Sequence, residues 1–137
     1  MYGNVTVSWA DGGDAGDWRS AVLAPHPHLV PVLVVPQRRL STATARAALP
    51  TAVPLAVAAR NSGRTALLAH ALTADPSLLM PATQDYLHQE ARRPAYPESM
   101  ALVDALRDAG IPAVISGAGP TVLALTSGQG EEAVRAV

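Results

Sequence analysis

One stretch limits the possible folds of this chain more than any other: Ser116-Gly117-Ala118-Gly119-Pro120-Thr121. Short apolar runs rich in β-branched residues flank it, Pro112 to Ile115 before and Val122 to Leu125 after, and each predicts a buried strand. Two glycines in the turn between them let the backbone take positive φ and let another chain or a ligand approach closely. Successive N–H groups in such a turn can form an anion-binding nest. The same pattern also suits a plain tight hairpin, so the loop alone does not choose between scaffold and site.

The rest of the chain supplies that hairpin with a sheet and helices. Val5, Val7 and Trp9 alternate with Thr6 and Ser8, which predicts a half-buried strand. A turn at Asp11 to Asp14 lets Ala21 to Leu23 return beside it. Val30 to Val35 is a nearly continuous apolar run closed by Pro36 and reads as an interior strand buried on both faces. Ser41 is placed to cap a short helix running to Leu49, on which Thr42 and Arg46, four apart, share a face. A long helix is expected from Val53 to Thr73, with Pro54 in its first turn and Gly63 as a weak point. Asp75-Pro76 starts another helix. From Ala82 to Arg93 the pattern predicts its continuation, with Asp85, His88 and Arg92 along one stripe. Pro97 opens a helix carrying Met100, Leu102, Val103 and Leu106 inward and ending at Gly110 and Pro112. Glu131 to Val137 begins a last helix. Hairpin, strand, helices, hairpin and helix make an α+β plan, helices packed on an antiparallel sheet, with a ferredoxin-like or split βαβ topology.

Composition excludes several functions. The 137 residues suffice for one sizeable core, which must be built from Leu, Val and Ala because the chain has no Phe. Net charge is −1 and the charges are scattered, so no basic face for nucleic acid is expected. With no Cys there is neither a disulfide framework nor a thiolate site. No apolar run approaches the ~18 residues of a spanning helix, and the N-terminus lacks signal-peptide order, so a cytoplasmic protein without a membrane partner is expected. His26 and His28 invite a metal reading, but no other ligand stands at metal spacing, so no metal site is expected in this chain.

Three groups of polar residues remain: Thr42 with Arg46, the stripe Asp85, His88 and Arg92, and the glycine loop. Two arginines from separate helices can clamp a carboxylate or phosphate with bidentate hydrogen bonds. Ordinary solvated helix faces have the same spacing, and that alternative stays open on spacing alone.

A resemblance adds to this reading. Val32-Leu33-Val34-Val35-Pro36, Ser41-Thr42-Ala43-Thr44-Ala45-Arg46, Leu49-Pro50, Asn61-Ser62, Asp85-Tyr86-Leu87-His88-Gln89 and Ser116 to Thr121 stand in the order and spacing of the homoserine kinases. These belong to the GHMP small-molecule kinase superfamily, and the match runs from about Tyr2 to Ser127. It implies a ferredoxin-like GHMP kinase C-terminal domain over 25–137, with 1–24 a β-hairpin remnant of the N-terminal domain. It implies that Thr42, Arg46 and Arg92 contact homoserine, Arg92 through its carboxylate, and that His88 orients Arg92 or a substrate oxygen. Arg93 is a lesser stand-in for Arg92. Glu90 occupies the family's usual Pro position, which leaves the end of that helix open. Ser116, Gly117, Gly119 and Thr121 would shape the loop supporting the phosphate-binding region, more scaffold than contact.

The resemblance also implies what is missing. Family members are about twice as long, and their N-terminal half carries a Pro-x-x-x-Gly-Leu-Gly-Ser-Ser nucleotide loop, a Mg²⁺ carboxylate and an Asp near the attacking hydroxyl. No counterpart stands in this sequence, so no catalytic residue is expected in it. The expected function is the substrate-side half of an enzyme converting ATP and L-homoserine to ADP and O-phospho-L-homoserine, a step toward threonine. ATP and Mg²⁺ would serve the intact enzyme and neither would bind this chain tightly alone. Its expected partners are L-homoserine, the N-terminal half and a second copy in a homodimer. Alternatives are a GHMP kinase for another small alcohol and a non-catalytic amino-acid-binding module.

Overall fold

The computed structural model describes residues 3–12, 16–37, 41–127 and 130–137. Strands β1 (Val5–Asp11) and β2 (Asp17–Leu23) pair antiparallel from Val5↔Leu23 to Asp11↔Asp17 and form a two-stranded sheet of their own. Alternation predicts one buried face here. Instead Val7 and Trp9 are each 41% exposed and Val22 is 63% exposed, because little of the described chain packs over the hairpin.

The second sheet holds β3 (Leu29–Val34), β4 (Ala113–Ile115) and β5 (Val122–Ser127) in the order β3-β5-β4. Both pairings are antiparallel, with Val34↔Val122 and Ile115↔Val122 at one end. β3 and β4 therefore run parallel with β5 inserted between them, which is the split βαβ arrangement. Followed by a helix, these follow the first five elements of a ferredoxin-like βαββαβ order, and among the described residues this sheet has three strands. One expectation is corrected. β3 is an edge strand rather than an interior one, and its residues alternate between half-buried and exposed, Leu33 being 59% exposed. The central position belongs to β5, where Val122, Ala124, Leu125 and Thr126 are buried. An apolar run cannot reveal which strand is central, and Pro31, which has no N–H to donate, suits an edge.

The helices are α1 (Thr42–Ala47), α2 (Leu55–Thr73), α3 (Leu79–Ala82), α4 (Gln89–Arg92), α5 (Pro97–Asp108) and α6 (Gly130–Arg135). Ser41 caps α1 by accepting the Thr44 N–H, and α2 continues unbroken through Gly63. A 3₁₀ turn, Pro76–Leu78, leads into α3, and Asp75 caps it. The continuous helix expected from 82 to 93 is absent. After Ala82 the chain leaves the helix, and it resumes only at Gln89. The cause is local: the Asp85 carboxylate takes the N–H groups of Leu87, His88 and Gln89, so those amides bond a side chain rather than a helical carbonyl.

α5 covers the sheet with Met100, Val103 and Leu106, packed on Ala113, Ile115, Val122 and Ala124. Its Leu102 is half-buried at the margin. A second cluster joins Ala71, Leu79, Ala82 and Leu125. Arg107 links the two regions, donating to the Met80 and Ala113 carbonyls and to Thr83 Oγ1, and burial lowers its pKa.

Candidate functional site

A single guanidinium ties the site together. The Asp85 carboxylate sets the start of α4 through hydrogen bonds of 2.8, 3.1 and 3.0 Å from the Leu87, His88 and Gln89 amides. Asn61 on α2 steadies the same turn by accepting the Tyr86 N–H at 2.9 Å. Gln89 Oε1 accepts the Ile115 N–H at 2.6 Å, which fastens α4 to β4 just before the glycine loop. One turn on, Arg92 is only 9% exposed. Its Nε donates to the Ala45 carbonyl of α1 at 2.9 Å, and its Nη1 reaches the Gly117 carbonyl at 3.4 Å. Three segments distant in sequence thus meet at Arg92. A guanidinium has five N–H donors, so the two used here leave others for a ligand.

Around this point lies a cleft of about 470 Å³, and Thr42, Arg46, His88, Arg92 and Gly117 all line it. Thr42 and Arg46 are exposed on one face of α1. The His88 ring is held by Asp85, Nδ1 to Oδ1 3.3 Å, and makes no hydrogen bond to Arg92. The Ala45 and Gly117 carbonyls orient Arg92 instead. Arg93 is not in the cleft. It forks to Glu90 at 2.7 Å on both oxygens and to Asp104 at 2.7 and 3.2 Å. That network joins α4 to α5 on the surface, and the Arg93 charge holds both carboxyls below their usual range. Arg93 therefore does not share the cleft with Arg92.

The glycine loop is a closed hairpin end. The Ser116 N–H donates to the Thr121 carbonyl at 2.8 Å and the Gly119 N–H to the Ser116 carbonyl at 3.1 Å. Gly117 and Gly119 take φ of 59° and 86°. The Gly119 amide is consumed inside the turn, which removes one donor from the expected nest. Ser116, Gly119 and Thr121 do not line the cleft, whereas Gly117 and Ala118 do. Behind the loop, Ser99 Oγ donates to the Pro120 carbonyl at 2.7 Å.

Two polar lining residues lay outside the expected site residues. Gln89 holds the strand that leads into the loop, and Tyr96 lines the cleft beside it. Gln89 had a usable signal, since it directly follows His88 in the motif from Asp85 to Gln89. Tyr96 had none, standing between Pro94 and Pro97 without a pattern. Electrostatically the cleft is cationic. The carboxylate of Asp85 is occupied by backbone amides and His88, while Arg46 has no ion pair among the described residues. Such a site can hold a small anionic group and orient the rest of the molecule by hydrogen bonds.

Comparisons with known proteins bear on this geometry. The chain is 58% identical over 125 residues to a homoserine kinase of Streptomyces avermitilis, covering 91% of this chain and 40% of that relative. It is 52% identical over 137 residues to the Streptomyces coelicolor homoserine kinase, covering 100% of this chain and 43% of the relative. The crystal structure of homoserine kinase from Cytophaga hutchinsonii superposes with a TM-score of 0.78 at 29% identity, covering 86% of this chain and 38% of that one. The chain thus spans about two-fifths of the length of the curated relatives it matches, between 40% and 43%. A family model described as "GHMP kinases C terminal" matches residues 57–137, the stretch that runs from α2 through the Arg92 turn and the glycine loop to α6, and by that match the chain belongs to the GHMP kinase C-terminal family.

Proposed function

We propose that this chain forms the substrate-side portion of an ATP-dependent homoserine kinase. The observation that carries the reading is the convergence of Arg46 and Arg92, from separate helices, on one cleft whose only carboxylate among the described residues is already occupied. In the reaction, the side-chain hydroxyl oxygen of L-homoserine bonds to the γ-phosphorus of ATP, the bond to the β,γ-bridging oxygen breaks, and the hydroxyl proton departs. The products are O-phospho-L-homoserine and ADP. Phosphoryl transfer depends chiefly on positioning and electrostatics. Arg46 and Arg92 hold the amino-acid carboxylate, Thr42 and His88 meet its other polar atoms, and residues 116–121 brace Arg92 from behind.

The Mg²⁺ such a kinase uses finds no fit here. Among the described residues no cluster of three His, Cys, Asp or Glu side chains could hold a metal, and Asp85 is engaged by amides. In this reading nucleotide and metal bind the amino-terminal portion that the longer relatives carry, and that portion also covers the exposed hairpin. In this reading the enzyme works in the cytoplasm, where ATP and free amino acids are both at hand; no helix among the described residues is long and apolar enough to cross a membrane.

The test uses this chain fused behind the amino-terminal portion of the Streptomyces avermitilis homoserine kinase, assayed by homoserine-dependent ADP release. Arg46→Gln and Arg92→Gln each remove a charge-assisted contact of about 1.5–3 kcal/mol, so KM for homoserine rises about tenfold to a hundredfold while KM for ATP stays nearly constant. Equal effects on both substrates would overturn the assignment.

A further inference from the structure

One residue lining the cleft carries a buried O–H with no acceptor. Tyr96 is 4% exposed, and its ring belongs to the core built around Met100, Ile115 and Val122. The ring also lies hard against the glycine loop: a Cβ placed on Gly119 would come within 2.7 Å of its Cε1. The hydroxyl at its tip is buried and makes no well-aligned hydrogen bond, the only side-chain polar atom in that condition among the described residues; Arg92 stands close enough to act on its oxygen, and the O–H proton has no acceptor. Tyr96 lines the same cleft as Arg46 and Arg92.

We propose that the Tyr96 hydroxyl is a third donor to the anionic group that Arg46 and Arg92 hold, and so helps select a substrate bearing a carboxylate. This rests on the reading of the cleft as the homoserine site. Three physical points support it. A buried hydroxyl without a partner is costly, so one that persists calls for a ligand or another function. Packing against Gly119 and the core keeps the hydroxyl beside Arg92 rather than near another acceptor. And the neighbouring Arg92 charge selects the kind of partner: a carboxylate is drawn to a guanidinium and accepts from an O–H, whereas an ammonium group is repelled. Burial also pushes the phenol pKa upward, against the Arg92 charge and the Arg92 N–H beside its oxygen, so the group keeps its proton at neutral pH and can donate it.

The experiment is Tyr96→Phe in the fusion enzyme, which removes one oxygen and keeps the ring that supports the loop. KM for homoserine is expected to rise about tenfold with KM for ATP within about twofold, the size of one charge-assisted hydrogen bond. The thermal midpoint is expected to hold or rise, since an unsatisfied buried group has gone. With 2-aminobutane-1,4-diol, in which the carboxylate of homoserine is reduced to an alcohol, the penalty should shrink below about threefold. If Tyr96→Phe leaves KM unchanged while Arg92→Gln raises it, the hydroxyl is no donor and the cleft reading stands. A lowered midpoint with both KM values raised would mean a purely structural tyrosine. If neither variant alters KM for homoserine, or the fusion turns over no homoserine, the cleft reading fails and this proposal with it.

Discussion

Arg46 and Arg92 are chemically alike but are held very differently. Arg46 stands exposed on α1, while Arg92 is buried and bonded to two carbonyls, so its planar fork is aimed before any ligand arrives. Lysine cannot take over at Arg92, because a single ammonium cannot reach both carbonyls and a ligand as a rigid fork does. The loop glycines differ in the same way. Gly117 has φ 59° with open space where a Cβ would go, and Gly119 has φ 86° with the Tyr96 ring in the way. Gly117→Ala is expected to cost about 1–2 kcal/mol for the left-handed backbone alone. Gly119→Ala adds about 1–3 kcal/mol of overpacking to the same strain. Urea denaturation of the two variants checks the order, and equal losses would mean that the ring yields freely.

At the scale of elements, α4 is the informative case. Four residues cannot hold a helix by themselves. Asp85 caps it, Gln89 fastens it to β4, and Arg93 ties it to Asp104 on α5. Glu90 takes part in that last tie through Arg93. Arg93 lowers the pKa of both Glu90 and Asp104 in the folded protein, so their stabilisation is complete above the ordinary carboxylate range and is lost as pH falls through the depressed values. Both carboxylates are exposed, so each pair contributes less than about 1 kcal/mol. Wild type should therefore lose more stability than Arg93→Gln between about pH 5 and about pH 3, and the two should converge at the acid end. Parallel denaturation curves across that range would show that the pairs contribute nothing. The stripe Asp85, His88 and Arg92 was legible in the sequence as a set of neighbours, but on the wrong element. Their spacing fits a helix, and only the structure shows the Asp85 side chain competing for the amides that a helix needs.

For the molecule as a whole, the hairpin is the most openly exposed apolar part. Both tryptophans of the chain lie on it, Trp9 in β1 and Trp18 in β2, 41% and 77% exposed. Intrinsic fluorescence therefore reports on this surface alone. The 137-residue chain by itself should emit near the wavelength of solvated tryptophan and transfer no phosphate from ATP. Joined to the amino-terminal portion of a relative, it should emit further to the blue and turn over homoserine. An unchanged spectrum in an active fusion would show that the hairpin is covered by something else. The edge of β3 is open as well, with Leu33 exposed and Pro31 within it, and proline on an edge discourages wrong strand pairing.

Local chemistry by itself determined much of this protein. Glycines at 117 and 119 require a turn with positive φ, Ser41 and Asp75 cap the helical turns next to them, and Pro97 and Gly110 bracket α5, because each acts within a few residues along the chain. The resemblance in motif order singled out Thr42, Arg46 and Arg92, which the structure brings to one cleft. Tertiary structure decided the rest. Which strand is central depends on pairing between residues nearly a hundred positions apart, such as Val30 with Thr126, and no local pattern carries that information. The division of labour between Arg92 and Arg93 depends on which way each side chain leaves one short helix, toward the Ala45 and Gly117 carbonyls or toward Asp104. The lone hydroxyl of Tyr96 exists only because α5, β4 and the glycine loop close around it, and burial of that kind is a property of the packed molecule.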